Sequence, residues 1–189
     1  ATKPFGFLPH YPSAGAGGHC IPKDPRFLLE SSKKYGLEFQ AIENALRINS
    51  EMPLHVCNSI EKKLNELKLK KSVIVCGLSY KANVEDMRDS ASFKILVELK
   101  KRGFDVVGYD PYFKNNLIEK YKIENKLEEF NVKTIEKLDE KIIKQFNCLC
   151  IVQHHNIDKN RINEIYNNST LPYIYDCQNK LEFSSSSNS

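Results

Sequence analysis

The chain has 189 residues, 41% of them hydrophobic, enough to bury a core in one domain or in one domain with an appended arm. Lys+Arg 28 against Asp+Glu 24 leaves a net charge of +4, with the two signs interspersed, which argues against nucleic acid as a partner. No apolar run reaches the length of a membrane span and the start does not read as a signal peptide, so a soluble, cytoplasmic protein is expected.

Residues 1–18 read as loop, because Pro4, Pro9, Pro12 and four glycines permit little regular structure. Phe5, Phe7 and Tyr11 are expected to pack that loop against a surface. Gly15, Gly17 and Gly18 allow a backbone with positive φ and close approach to a ligand, and they deliver Cys20 at the loop's end. Asp24 reads as an N-cap and Pro25 as the first helical residue of a short helix reaching Tyr35 and stopped by Gly36. A thiol just ahead of a helix N-terminus, with Lys23 nearby, sits where a thiolate is favoured. A lone cysteine in a glycine turn also fits plain packing, and both readings stand on spacing alone.

Phe39, Ile42, Leu46, Asn49, Val56, Ile60, Leu64 and Leu67 recur at three and four residues, an amphipathic helix that Pro53 should kink or divide. From Ser72 the pattern turns to alternating strands and helices. Val73–Cys76 reads as a buried parallel strand, Ser90–Arg102 as a helix ended by Gly103, and Asp105–Tyr109 as the second strand. Residues 114–145 are lysine- and glutamate-rich and read as helical, with a short strand near Val132. Cys148–Val152 is a further strand, Lys159–Tyr166 a helix and Tyr173–Asp176 the last strand.

The fold class is therefore α/β: a long central helix followed by a small Rossmann-like, doubly wound parallel sheet. The expected division is 1–70 for the cysteine loop and helices, 71–183 for the sheet domain, and 184–189 as a disordered serine-rich tail.

Of six cysteines, Cys76, Cys148 and Cys177 fall on expected strands, while Cys148 and Cys150 share a face with Leu149 opposite. No Cys-x-x-Cys occurs, and His154-His155 has no ligand partners close in sequence, so no metal site is expected. Gly77-Leu78-Ser79-Tyr80-Lys81 lacks the G-x-G-x-x-G turn that seats a dinucleotide, and Asp110 lies too far downstream to be the usual ribose carboxylate. This sheet is not expected to be an NAD domain. Lys81, Arg88 and a helix starting at Ser90 could bind an anion at the carboxyl end of a parallel strand, or form an ordinary solvated loop.

The segment Ala1–Phe7, Gly17-Gly18-His19-Cys20-Ile21-Pro22 and Asp24-Pro25, with Gly77–Lys81 and Asp86–Ser90, resembles the nucleotide-sugar 6-dehydrogenases of the UDP-glucose/GDP-mannose dehydrogenase family. The branch it most resembles is the UDP-N-acetylglucosamine 6-dehydrogenases. The resemblance implies a UDP-binding domain in residues 71–183 and a homodimer through the long helix. It implies Cys20 as a nucleophile that captures a C6 aldehyde, with Asp24 handling water and protons. Two NAD molecules would accept hydrides in turn, most of the cofactor site lying in an N-terminal domain upstream. Tyr11, Ala16, Gly17, Gly18, Tyr80, Lys81 and Gln178 would face the UDP-sugar, and Lys23 and Arg88 the cofactor phosphates.

Two departures stand out. Pro12-Ser13-Ala14-Gly15 replaces the family's Pro-Gly-Pro-Gly, and Asp176-Cys177-Gln178 lacks the arginine that usually follows the strand's aspartate. The leading expectation is the cysteine-bearing, UDP-sugar-binding part of an NAD-dependent dehydrogenase serving polysaccharide biosynthesis, inactive without its NAD domain. The alternative is a non-catalytic module that binds a nucleotide sugar and dimerises. A cysteine hydrolase fits poorly, because no distant histidine is marked as its base.

Overall fold

The computed structural model describes residues 6, 11–113, 133–168 and 173–181. Phe5, Phe7, the 114–132 stretch and the serine-rich tail lie outside the described residues. Helix α1 (Cys20–Lys33) begins five residues before the expected first helical residue, Pro25, with His19 rather than Asp24 at the N-cap position. Pro22 explains the early start, since its missing N–H falls among the first four amides of the helix, which have no intrahelical acceptor. Asp24 is therefore not a cap, and Pro25 lies inside the helix rather than at its first position. Gly36, at φ +65°, follows the last turn as expected.

Helix α2 (Gln40–Glu66) runs for 27 residues without division at Pro53. Ile48 and Leu54 are exposed near its middle, and an apolar groove lined by Ile21, Pro25, Leu28, Ile42 and Leu46 runs between its first half and α1. Its second half turns inward. Val56, Cys57, Ile60 and Leu64 are buried and pack with Ile95, Leu96 and Leu99 of α3 (Ala91–Lys101). Glu61 fastens this packing by pairing with Lys71 at 2.6 Å and Arg102 at 2.9 Å, while Arg102 also binds Glu98 at 2.8 Å. The Lys71 hydrogen bond, chiefly, holds the Glu61 carboxyl below the ordinary range.

Strands β1 (Ser72–Cys76), β2 (Asp105–Tyr109), β3 (Lys133–Ile135), β4 (Cys148–Ile151) and β5 (Tyr173–Asp176) form one parallel sheet in the order β3-β2-β1-β4-β5. Central β1 sets Val73 beside Val106 and Cys148, and Cys76 beside Tyr109 and Ile151. Every β1 residue is buried, as a strand covered on both faces requires. One face carries Val73, Val75, Cys148 and Cys150 against α2 and α3. The other carries Ile74, Leu149 and Ile151 against Ile143 of α4 (Glu140–Ile143) and Ile162 and Ile165 of α5 (Lys159–Asn168). Helices on both faces make the sheet doubly wound. Cys177 falls one residue beyond β5 rather than inside it.

Candidate functional site

The order of strands reverses between β1 and β4, and the loops at their carboxyl ends open a crevice there. The cleft holds about 590 Å³. One wall is the glycine loop, from Tyr11 through Ala16, Gly17 and Gly18 to Cys20. The other is Ser79, Tyr80 and Lys81 after β1, with Arg88, Ser90 and Gln153. Cys20 is exposed at the lip, whereas Cys57, Cys76, Cys148 and Cys150 are buried. Burial pushes the Cys57 thiol up to about 12 and those of Cys76 and Cys148 upward as well, which leaves these three chemically quiet.

Gly17 and Gly18 are dictated by close contact with the Asp89 backbone and Tyr80. A Cβ on Gly17 would fall 2.6 Å from the Asp89 carbonyl oxygen and 2.9 Å from Tyr80 Cβ. Gly18 sits at φ +88°, and a Cβ there would meet the Tyr80 ring at 2.7 Å. Its N–H donates to the Arg88 carbonyl at 2.9 Å, so the loop is stitched to the opposite wall. Arg88 lines the cleft while its guanidinium grips Asp86 through contacts of 2.6–3.0 Å. Ser90 caps α3, its Oγ accepting from Ser92 N at 3.2 Å.

Three of the sequence-predicted residues do not line this cleft. Asp24 faces the groove between α1 and α2. Lys23 pairs with Asp89 at 3.7 Å. Gln178 donates from Nε2 to Gln153 Oε1 at 2.9 Å and reaches the cleft only through that neighbour. Tyr11 does line the cleft but is 67% exposed rather than packed.

Under Tyr80 and Lys81 lies a buried polar network. Asp110, just past β2, accepts from the amides of Leu78 and Ser79 at 2.7 and 3.0 Å, from Ser79 Oγ at 2.8 Å and from the Tyr112 amide at 2.9 Å. His155 Nε2 lies 3.1 Å from the same carboxylate, and its Nδ1 accepts the Asn83 amide at 3.0 Å. Because Nδ1 is an acceptor, the ring proton sits on Nε2 and points at Asp110. Burial alone would raise the Asp110 carboxyl, but the hydrogen bonds from His155, the Tyr112 amide and Ser79 outweigh it and hold the group below the ordinary range.

Contrary to the expectation from its distance along the chain, Asp110 directly follows the second strand, where a dinucleotide-binding sheet offers a ribose carboxylate, but its oxygens are taken up internally. With the missing glycine turn, this makes the sheet a poor fit for NAD. His154 is similarly tied, at 2.8 Å to Asp176, so each histidine of the pair has one carboxylate partner brought from afar. Among the described residues no group of three metal-ligating side chains occurs.

Asp158, beside this network, has one carboxylate oxygen with no hydrogen-bond partner. Burial, with Asp110 adding repulsion against the relief from His155, raises its carboxyl to about 6. The folded state therefore holds a proton that the unfolded chain has released between about pH 4 and 6, and stability falls as pH rises through that window. Asp158→Asn is expected to raise Tm by several degrees at pH 7.5, with the gain shrinking below pH 6 to little at pH 4, in thermal melts across that range.

A doubly wound parallel sheet with a ligand-sized cleft at its switch point, faced by a loop that ends in an exposed cysteine, defines a Rossmann-like domain with an appended cysteine-bearing arm. The UDP binding domain of the UDP-glucose/GDP-mannose dehydrogenase family matches residues 74–183, and the central domain of that family matches residues 1–51. The chain belongs to the UDP-glucose/GDP-mannose dehydrogenase family.

It is 31% identical over 175 residues to the UDP-N-acetyl-D-mannosamine dehydrogenase of Methanococcus vannielii, covering 90% of this chain and 36% of that one. It is 42% identical over 101 residues to the Methanocaldococcus jannaschii protein of the same name, covering 53% and 22%. The solved structure of the Pyrococcus horikoshii UDP-D-ManNAc dehydrogenase superposes with a TM-score of 0.67 at 26% identity, over 90% of this chain and 36% of that one. GDP-mannose dehydrogenase from Pseudomonas aeruginosa, at 20% identity, shares the fold with a TM-score of 0.72 over 88% of this chain and 37% of that one. The chain thus spans little more than a third of the length of the curated relatives that match nearly all of it. Among the described residues no helix is long and apolar enough to cross a membrane.

Proposed function

We propose that this chain is the cysteine-bearing, UDP-sugar-binding part of a nucleotide-sugar 6-dehydrogenase, acting on a UDP-N-acetylhexosamine. The single observation that carries the reading is that Cys20, Tyr80, Lys81 and Arg88 line one cleft. N-acetylmannosamine is the first sugar to try, because the relatives that cover most of this chain carry that name where the sequence resemblance points to N-acetylglucosamine. Tyr80, Lys81, Tyr11 and the backbone of Ala16, Gly17 and Gly18 hold the nucleotide sugar, with Gln178 acting through Gln153. Cys20 adds to the C6 aldehyde as nucleophile, and Asp24 serves proton transfer once substrate and the remainder of the enzyme are in place. NAD, bound in the whole enzyme, supplies the hydride acceptor, with Lys23 and Arg88 assigned to its phosphates. Homodimerisation runs through α2, which exposes Ile48 and Leu54 near its middle. The setting is cytoplasmic polysaccharide biosynthesis.

Titration calorimetry on this chain should detect UDP and UDP-N-acetylmannosamine. Lys81→Ala should weaken UDP about tenfold or more, since a charge-assisted hydrogen bond contributes about 1.5–3 kcal/mol. A folded chain that binds neither ligand sinks the proposal. Joined to the amino-terminal portion of the Methanococcus vannielii relative, the chain should support NADH formation, and Cys20→Ser should abolish uronate release. Full uronate release from the serine variant would overturn the nucleophile role assigned to Cys20.

A further inference from the structure

We infer that Asn49 of α2 is a positioning residue for the cysteine loop, an assignment that rests on the proposed function for its catalytic meaning. The Asn49 side chain grips Ala16 at both backbone groups. Oδ1 accepts the Ala16 N–H at 2.7 Å, and Nδ2 donates to the Ala16 carbonyl at 3.0 Å. Two bonds from one planar amide fix both the position and the tilt of the Ala16 peptide units, as a neighbouring strand would.

The main chain of the helix joins in. Pro53 has no N–H, so the Asn49 carbonyl has no donor one helical turn ahead. A Cβ on Gly15, which sits at φ +131°, would lie 3.2 Å from that same carbonyl oxygen. Proline in the helix and glycine in the loop thus let two backbones meet where Asn49 reaches across. Two residues beyond Ala16, the Gly18 N–H binds the Arg88 carbonyl at 2.9 Å. The loop is held by α2 on one side and by the sheet domain on the other, and Cys20 follows directly. Asn49 lies in the apolar stripe of α2, and its side-chain amide bonds to the loop through both its oxygen and its nitrogen.

The test compares the wild-type chain with Asn49→Ala and Asn49→Asp. Hydrogen exchange at the Ala16 and Gly18 amides and calorimetry with UDP are both read, at matched Tm. Asn49→Ala should speed exchange at Ala16 at least tenfold and weaken UDP about tenfold. Asn49→Asp keeps the acceptor for the Ala16 N–H and loses the donor, so it should restore most of the protection and part of the affinity. Unchanged exchange at Ala16 in the alanine variant overturns the inference, as does faster exchange with unaltered UDP affinity. If the wild-type chain binds no UDP, the nucleotide-sugar reading fails by itself. Asn49 is then judged by exchange and by the rate of Cys20 alkylation with iodoacetamide, and equal rates in wild type and Asn49→Ala overturn it.

Discussion

Asp110→Ala is expected to cost about 3–5 kcal/mol of stability and to lower Tm by roughly 10 °C, measured by circular dichroism melts at pH 7. The carboxylate is the common acceptor for the Leu78, Ser79 and Tyr112 amides, Ser79 Oγ and the His155 ring. Truncation strands those donors in a region closed to water, where each unpaired group costs about 1–3 kcal/mol before relaxation. The pH dependence follows from the depressed Asp110 carboxyl. Its contribution is fully present above the ordinary carboxylate value and is lost as pH falls through the lower folded value, so wild type should weaken below about pH 4. Asp176 adds to the same acid limb, because His154 and the Gln178 and Lys180 amides outweigh its burial. Asp110→Ala should melt with a shallower acid limb than wild type and should bind UDP less well, since Tyr80 and Lys81 ride on the loop that Asp110 pins. A Tm within about 3 °C of wild type would show that the network contributes little.

The alternation of strands and helices was legible because β1 and β4 are short apolar runs and β1 and β2 are closed by Gly77 and Asp110, and run length with such flanking residues marks a strand. The shared face of Cys148 and Cys150 followed from strand geometry and is found in the core against α2 and α3. The cleft was partly legible too: glycines at 15, 17 and 18 and the cations after β1 are local signals. The start of α1 was misread because Asp24-Pro25 is a strong local cap pattern. Pro22, tolerated in a first turn, carries equal weight only once the chain's path is known.

The support beneath the cleft was not legible at all. Asp110 and His155 are 45 residues apart and meet only through the parallel register of β1, β2 and β4. Asn49 counted as one more position of the α2 stripe, since a sequence does not say which loop a helix face will meet. A polar residue on an apolar stripe, one turn before a proline, was the only signal available. Spacing finds residues that work alone, whereas groups that act by holding others need the tertiary contacts.

Gly77→Ala is expected to be among the most damaging single-methyl changes in the chain, with a loss of about 2–5 kcal/mol. Gly77 leaves β1 at φ +81°, where any other residue carries a conformational cost of about 1–2 kcal/mol. An added Cβ would also press on the Gln153 carbonyl oxygen and fall 2.7 Å from the Gln153 amide nitrogen. These are backbone atoms and cannot rotate away. Neither side can yield easily. The Gly77 N–H donates to the Tyr109 carbonyl at 2.8 Å and its own carbonyl accepts from Ser92 Oγ at 2.6 Å, while the Val152 N–H beside Gln153 donates to the Cys76 carbonyl at 2.9 Å. Relief therefore requires β1 and β4 to part at the switch point, which is the floor of the cleft. Gly36→Ala separates the two contributions: φ is +65° there, but nothing lies within 4 Å of its added Cβ. Urea titrations should place Gly36→Ala about 1–2 kcal/mol below wild type and Gly77→Ala well below that, with weaker UDP binding in the second alone. Equal losses in the two variants would mean that backbone conformation, and not the contact with Gln153, sets the requirement for glycine at position 77.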